Sequence, residues 1–175
     1  LSNYEKTNDY DFELKELKIN NKNIILRILS TSSIEKFTAL KCYFSVVADA
    51  VILCFDITNL SSFESIVRWK NDFLDTNNTK EEDKYCFFLA STKMDLENRM
   101  VEDEKIVCWC ANNNDIPYFE TSAKNNFGVK ELLMEVAKEL IVRKPIDETI
   151  LESNLAKIKL RKLEKIKKAP ACMQQ

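Results

Sequence analysis

Histidine is absent from all 175 residues, glycine occurs once, at Gly128, and proline occurs three times. Without histidine the chain lacks the usual general base near neutral pH, any His-containing metal site, and any Ser-His or Cys-His nucleophile. A single glycine cannot build G-x-x-x-x-G-K-[ST] or G-x-G-x-x-G, whose glycines let backbone amides close on a phosphate. No complete phosphate-cradling loop is therefore encoded within these residues. No apolar run approaches the roughly 18 residues of a membrane span, and the polar opening LSNYEKTNDY is not a secretory signal. The six cysteines, at 42, 54, 86, 108, 110 and 172, include no C-x-x-C pair, and three sit in apolar runs. They read as free thiols of a reducing compartment.

The composition supports a core. Apolar residues make up 45% of the chain, enough for one ordinary domain with a tail. Basic and acidic residues nearly balance, 26 against 28, which argues against nucleic acid as a partner. The balance hides a division. Residues 151–175 carry Lys157, Lys159, Arg161, Lys162, Lys165, Lys167 and Lys168 against Glu152 and Glu164, a basic tail behind an acidic body. Because the chain starts at Leu1 rather than Met, it is expected to be a fragment or a processed product unless an initiator methionine was removed.

Periodicity along the chain alternates between two and three-to-four residues. FELKELKI (12–19), the polar turn NNKN (20–23) and IILRIL (24–29) read as a β-hairpin. AVILCFDI (50–57) and YCFFLAS (85–91) are continuous apolar runs of the kind buried on both faces of a parallel sheet. Between them a helix is expected, with a capping box from Ser61 to Glu64 and Phe63, Ile66, Val67, Phe73 and Leu74 facing inward. A second helix opens at Glu102, Asp103 and Glu104 and turns Ile106, Val107 and Cys110 to the core. The short strand PYFET (117–121) precedes a third helix, patterned by Val129, Leu132, Leu133, Val136, Ala137, Leu140 and Ile141 and ended by Pro145. Alternating strands and helices imply an α/β layered fold with ligands bound beyond the strand C-termini. Chemistry is therefore sought at Ser30–Glu35, Asp56–Thr58, Ala90–Asp95 and Thr121–Lys124.

Two of those strand ends carry motifs, Ser91-Thr92-Lys93-Met94-Asp95 and Glu120-Thr121-Ser122-Ala123-Lys124. With DITNLSSFE (56–64), KMDLENR (93–99) and DIPYFETSAKNN (115–126), they make the chain resemble the Ras-superfamily small GTPases from about Tyr4 to Ile141. The resemblance is strongest to the late-endosomal and lysosomal part of the Rab branch. It implies a three-layer P-loop NTPase-like α/β fold, with a mostly parallel sheet, one antiparallel hairpin and the family's first strand missing. That strand lies between the ones matching 24–29 and 50–57, so its absence should leave a gap or force those two together. The family's Asn-Lys-x-Asp and Ser-Ala-Lys loops hold a guanine base. The resemblance thus places Thr92, Lys93, Asp95, Ser122, Ala123 and Lys124 around it. Asp95 would accept two parallel hydrogen bonds from the ring N–H and exocyclic amine, which adenine does not offer. Lys93 would lay its stem over the base, and the backbone at Ala123 and Lys124 would meet the guanine carbonyl oxygen. Thr92 stands where the family has Asn.

The same alignment sets ILSTSSIEKF (28–37) on the family's W-D-T-A-G-Q-E-R-F. Thr31, Glu35 and Phe37 agree. Ser30 replaces the Asp that supports Mg²⁺ through water, Ser33 replaces the Gly whose amide meets the γ-phosphate, and Ile34 replaces the Gln that orients attacking water. Upstream, Thr7 matches the Mg²⁺-binding Thr of the first switch, while Asp9 puts a carboxylate where Gly is expected. GTP or GDP and Mg²⁺ are the cofactors the resemblance implies, and these substitutions predict impaired GTP binding and hydrolysis with no catalytic residue. The expected function is a Rab-like protein of vesicle and endosomal traffic that acts by effector or membrane interaction. The alternative is an active GTPase whose P-loop lies upstream.

Cys172-Met173-Gln174-Gln175 has the spacing of a C-a-a-X prenylation box, making Cys172 the candidate lipidation site. Residues 151–168, with leucines and isoleucines among lysines, read either as a surface for anionic membrane or as a solvated helical extension. The expected organisation is a small-GTPase-like domain over 1–144 and a basic tail over 145–175, cytoplasmic and peripheral on endosomal membranes.

Overall fold

The computed structural model describes residues 11–30, 48–77 and 84–143. Thr7, Ile34 and Cys172, with Asp9, Thr31, Ser33, Glu35, Phe37, Pro145 and the tail, lie outside the described residues.

Strands β1 (Asp11–Ile19) and β2 (Lys22–Ser30) form the hairpin in antiparallel register, with Leu17 opposite Ile24 and Ile19 opposite Lys22. The turn is tighter than the four polar residues suggest. Asn20 and Asn21 alone make it, at φ 47° and 63°, and Lys22 and Asn23 already belong to β2. Asparagine tolerates the left-handed region, and two such residues in a row give the turn whose twist matches the strands it joins. Leu17, Ile19, Ile24 and Leu26 are buried, and residues between them point outward, as period-two alternation requires.

A second sheet holds β3 (Ala50–Asp56), β4 (Cys86–Thr92) and β5 (Tyr118–Glu120), parallel and in that order. Residues 86–91 of β4 are all buried, as expected of a central strand covered on both faces. Helices α1 (Leu60–Thr76) and α2 (Asp103–Ala111) pack on one face, where Phe63, Ile66, Leu74 and Ile106 meet Leu53, Phe55, Phe87 and Leu89. Helix α3 (Val129–Arg143) covers the other through Leu132 and Val136 against Cys86, Phe88 and Ala90. The result is the three-layer α/β arrangement with one antiparallel hairpin. Among the described residues no ladder joins β2 to β3, so the sheet has not closed up across the expected gap.

Three local expectations fail. The α1 cap is Asn59, extended at φ −138°, whose side chain accepts from the Ser62 amide at 3.3 Å, so no Ser61-to-Glu64 box forms. Ser61 donates its hydroxyl to Asn59 instead, at 2.8 Å. Val67 and Val107 are exposed, because each lies one step, about 100°, beyond a residue that takes the core position, Ile66 and Ile106. The inward stripe of α1 runs 63, 66, 70, 74, which buries Lys70 to 3% exposure. Its ammonium donates to Asn113 Oδ1 at 2.8 Å and stands 5.6 Å from the centre of the Phe87 ring.

Candidate functional site

Parallel strands deliver their C-terminal ends to one edge of the sheet, and three of the segments sought for chemistry meet there. Asp56 ends β3, residues 91–95 leave β4, and 121–124 follow β5. Ser30, from the fourth, is exposed at the end of β2.

The β4 and β5 loops are latched to each other by backbone and hydroxyl groups. The Ser91 carbonyl accepts from the Thr121 amide at 2.8 Å and from the Thr121 hydroxyl at 2.7 Å. One step further, the Met94 amide donates to the Thr121 carbonyl at 3.1 Å. Beneath the latch, the Tyr118 hydroxyl donates to Ser91 Oγ at 2.8 Å. Ser91, Thr121 and Ser122 are all buried, so water does not compete for these bonds.

That scaffold fixes Asp95. Ser122 donates its hydroxyl to Asp95 Oδ1 at 2.6 Å, and the Lys124 ammonium lies 3.5 Å from Oδ2. The Ser122 hydrogen bond is the main cause holding the Asp95 carboxyl below its ordinary range; burial opposes it, and the aspartate's own amide and Lys124 add to it. The group is an ionised acceptor. A carboxylate has about four lone-pair directions, so beside Ser122, Lys124 and its own amide it keeps capacity for a further donor. Ser122 in turn accepts from the Asn125 amide at 3.3 Å.

Lys93 has a left-handed backbone, φ 63°, and its ammonium pairs with Asp56 Oδ2 at 2.6 Å. The lysine stem therefore runs from the end of β4 toward the end of β3. Asp56 also accepts from the Thr58 amide at 2.8 Å and hydroxyl at 2.7 Å. Burial pushes the Asp56 carboxyl up, but the Lys93 hydrogen bond, the two Thr58 bonds and the Lys93 charge together bring it below its ordinary value. Thr92 turns away from this group and donates to the Phe55 carbonyl at 2.9 Å, bracing β4 on β3.

The second loop closes on itself. Ser122 and Phe127 exchange amide-to-carbonyl bonds of 2.9 and 3.0 Å, forming a single antiparallel bridge around the exposed residues Ala123 to Asn126. Gly128 then takes φ +68° to lead into α3, against the Glu120 carbonyl. On the outer side, Arg99 donates to the Val101 carbonyl at 2.8 Å, pairs with Asp103, and lies 3.5 Å from Glu120.

The structure thus gathers Lys93, Asp95, Ser122, Ala123 and Lys124 at one strand-end edge and sets Thr92 apart as a brace. Sequence reasoning missed Tyr118 and Arg99, and it placed Thr121 in a segment of interest without giving it a role. Thr121 and Tyr118 sit in or beside an apolar strand, where a lone polar tip gives little sign of its partner.

The arrangement fits the base half of a guanine nucleotide: an oriented, ionised acceptor flanked by lysines on rigid strand ends. For Mg²⁺, the described residues contain no group of three or more carboxylates or thiols that could hold a metal.

A family model described as "Ras family" matches residues 1–142. The Ras-related protein Rab7A of Mesembryanthemum crystallinum is 35% identical over 155 residues, covering 87% of this chain and 75% of that protein. RABG3a of Arabidopsis thaliana is 37% identical over 138 residues, 77% of this chain and 67% of its own length. Rab7 of Drosophila melanogaster is 33% identical over 138 residues, 79% and 67% respectively.

Proposed function

The chain belongs to the Ras family, in the Rab branch of small GTPases and most like the late-endosomal Rab7 proteins, and on that premise we propose that it acts in endosomal vesicle traffic with guanine recognition retained and GTP hydrolysis impaired. The observation that carries base recognition is Asp95, ionised and aimed by Ser122 across two loops latched to each other by buried hydrogen bonds. Preorganisation of this kind lowers the ordering cost of binding. Asp95 would read the guanine edge, Lys93 and Lys124 would flank it, and the backbone at Ala123 would meet its carbonyl.

The impaired half rests on side chains. Ile34 has no polar atom with which to hold a water, Ser33 adds a Cβ where an amide must approach phosphate, and Ser30 removes a carboxylate from the metal's surroundings. The nucleotide, when bound, supplies the phosphates that a Rab switch senses. Here the residues that would sense them are altered, so binding is weakened and turnover slower still. We assign the output to contact with effector or regulatory proteins and, through the basic tail and a lipid on Cys172, to the cytoplasmic face of endosomal membranes.

Purifying the full chain, denaturing it and identifying released nucleotide tests this directly. The expected result is substoichiometric guanine nucleotide, reloading with GDP in preference to ADP, and hydrolysis below the family's intrinsic ~10⁻⁴ s⁻¹. Equal affinity for ADP and GDP would remove the base-recognition reading. Hydrolysis at or above the intrinsic family rate would remove the impairment.

A further inference from the structure

We propose that Phe127 supplies the stacking face for the purine whose edge Asp95 reads, an assignment that rests on the guanine-recognition reading above. An acidic side chain binds a base only along its edge. Of the two broad apolar faces the Lys93 stem would cover one, and a site that leaves the other in water forgoes part of the available binding.

Phe127 stands where such a face is needed. It is the residue opposite Ser122 in the antiparallel bridge, and the two exchange both main-chain hydrogen bonds. In a pair of this type the Cα atoms are about 5.5 Å apart and the two side chains leave on the same face. The Ser122 side chain on that face reaches Asp95 at 2.6 Å. The Phe127 ring therefore starts beside the group that clamps the carboxylate. It is also open: 56% of Phe127 is exposed, and Leu96, next to Asp95, is 41% exposed. Among the described residues the other large exposed aromatic is Trp69, on α1, where the Arg68 guanidinium lies 5.1 Å from the ring centre. The alternative for Phe127 is an isolated surface hydrophobe with no ligand. The bridge to Ser122 distinguishes it from such a residue, because it fixes the Phe127 backbone at the edge where both loops converge.

Calorimetric titration of the full chain with GDP tests the assignment. Phe127→Ala should bind GDP about 5- to 100-fold more weakly, with an unchanged melting temperature because the side chain is largely in solvent. Phe127→Leu, which keeps apolar cover but no ring, should bind nearly as weakly. Phe127→Trp should retain affinity, and its added indole fluorescence should be quenched as GDP binds, beyond any change in the unmutated chain. Full affinity in Phe127→Ala or Phe127→Leu, or no extra quenching in Phe127→Trp, overturns the stacking role while leaving base recognition intact. Absence of GDP binding by the unmutated chain overturns both.

Discussion

Replacing Gly128 by alanine should destabilise the protein and loosen the guanine site through one set of atoms. Gly128 has φ +68°, which an L side chain adopts at a cost of about 1–2 kcal/mol. A Cβ built there overlaps the Glu120 carbonyl oxygen and lies 3.1 Å from its carbon, both backbone atoms at the end of β5. No rotamer change relieves a backbone clash, so the strand end must retreat, and insertions of this kind cost about 1–3 kcal/mol more. A stiffer unfolded chain returns less than about 1 kcal/mol, leaving a net loss of roughly 1–5 kcal/mol. That is a large part of a margin of about 5–15 kcal/mol, and for a chain of this size it lowers the melting temperature by about 2–20 °C. Because Glu120 directly precedes Thr121, the retreat pulls on the Thr121–Ser91 latch and on Ser122. GDP affinity should fall as well. Thermal unfolding by circular dichroism and GDP titration check the two effects, and Gly128→Asn separates them, since Asn relieves the φ cost but keeps the Cβ. A Gly128→Ala protein that melts and binds GDP like the unmutated chain would refute the reasoning.

Ser122→Ala should move the acid limit of GDP binding upward. Asp95 has a depressed pKa, so its ionised form persists as pH falls below the ordinary value of 3.8 and is lost only through the lower folded value. Removing the first-ranked cause of that depression brings the fall in affinity to higher pH, and identical pH profiles for the two proteins would count against the Ser122–Asp95 bond. Thr121→Val removes the buried hydroxyl that donates to Ser91 while keeping the amide bond, and should cost about 0.5–1.5 kcal/mol. Stopped-flow displacement should also show faster GDP release, and an unchanged release rate would mean the hydroxyl latch does not hold the loops. Cys172→Ser should shift the protein from the membrane to the soluble fraction of cells, and unchanged fractionation would remove the lipid anchor.

Much of the architecture was legible in the residues alone. The apolar run at 86–91 marks a strand covered on both faces, whereas in the run at 50–56 Cys54 is exposed, so β3 is covered less fully than its composition suggests; the 3.6-residue pattern of Leu132, Leu133 and Val136 marks a helix with one buried side. The strand-end segments could be picked out because parallel strand ends converge, and within them Lys93, Asp95, Ser122 and Lys124 were singled out by the resemblance to the guanine-binding loops of the small GTPases. What the spacing could not supply was the partner of each group. Asn59 rather than Ser61 caps α1, because capping depends on the backbone angles at the helix start, and both residues are competent by type.

Charge placement was settled at a still longer range. Lys70 reads as a surface lysine, yet it is buried because Asn113, 43 residues away, and the Phe87 ring give its ammonium a partner. Lys93 is drawn to Asp56, 37 residues earlier, because β3 and β4 end side by side. The sequence by itself determined which segments are strands and helices and which loops carry acidic and basic groups, since these follow from local periodicity and composition. Only the tertiary structure decided that Asp95 is aimed by Ser122, that the Thr92 hydroxyl braces β4 on β3, and that Phe127 shares a face with Ser122. Those are facts about distances between residues far apart in the chain, and local pattern carries no information about such distances until the strands are paired.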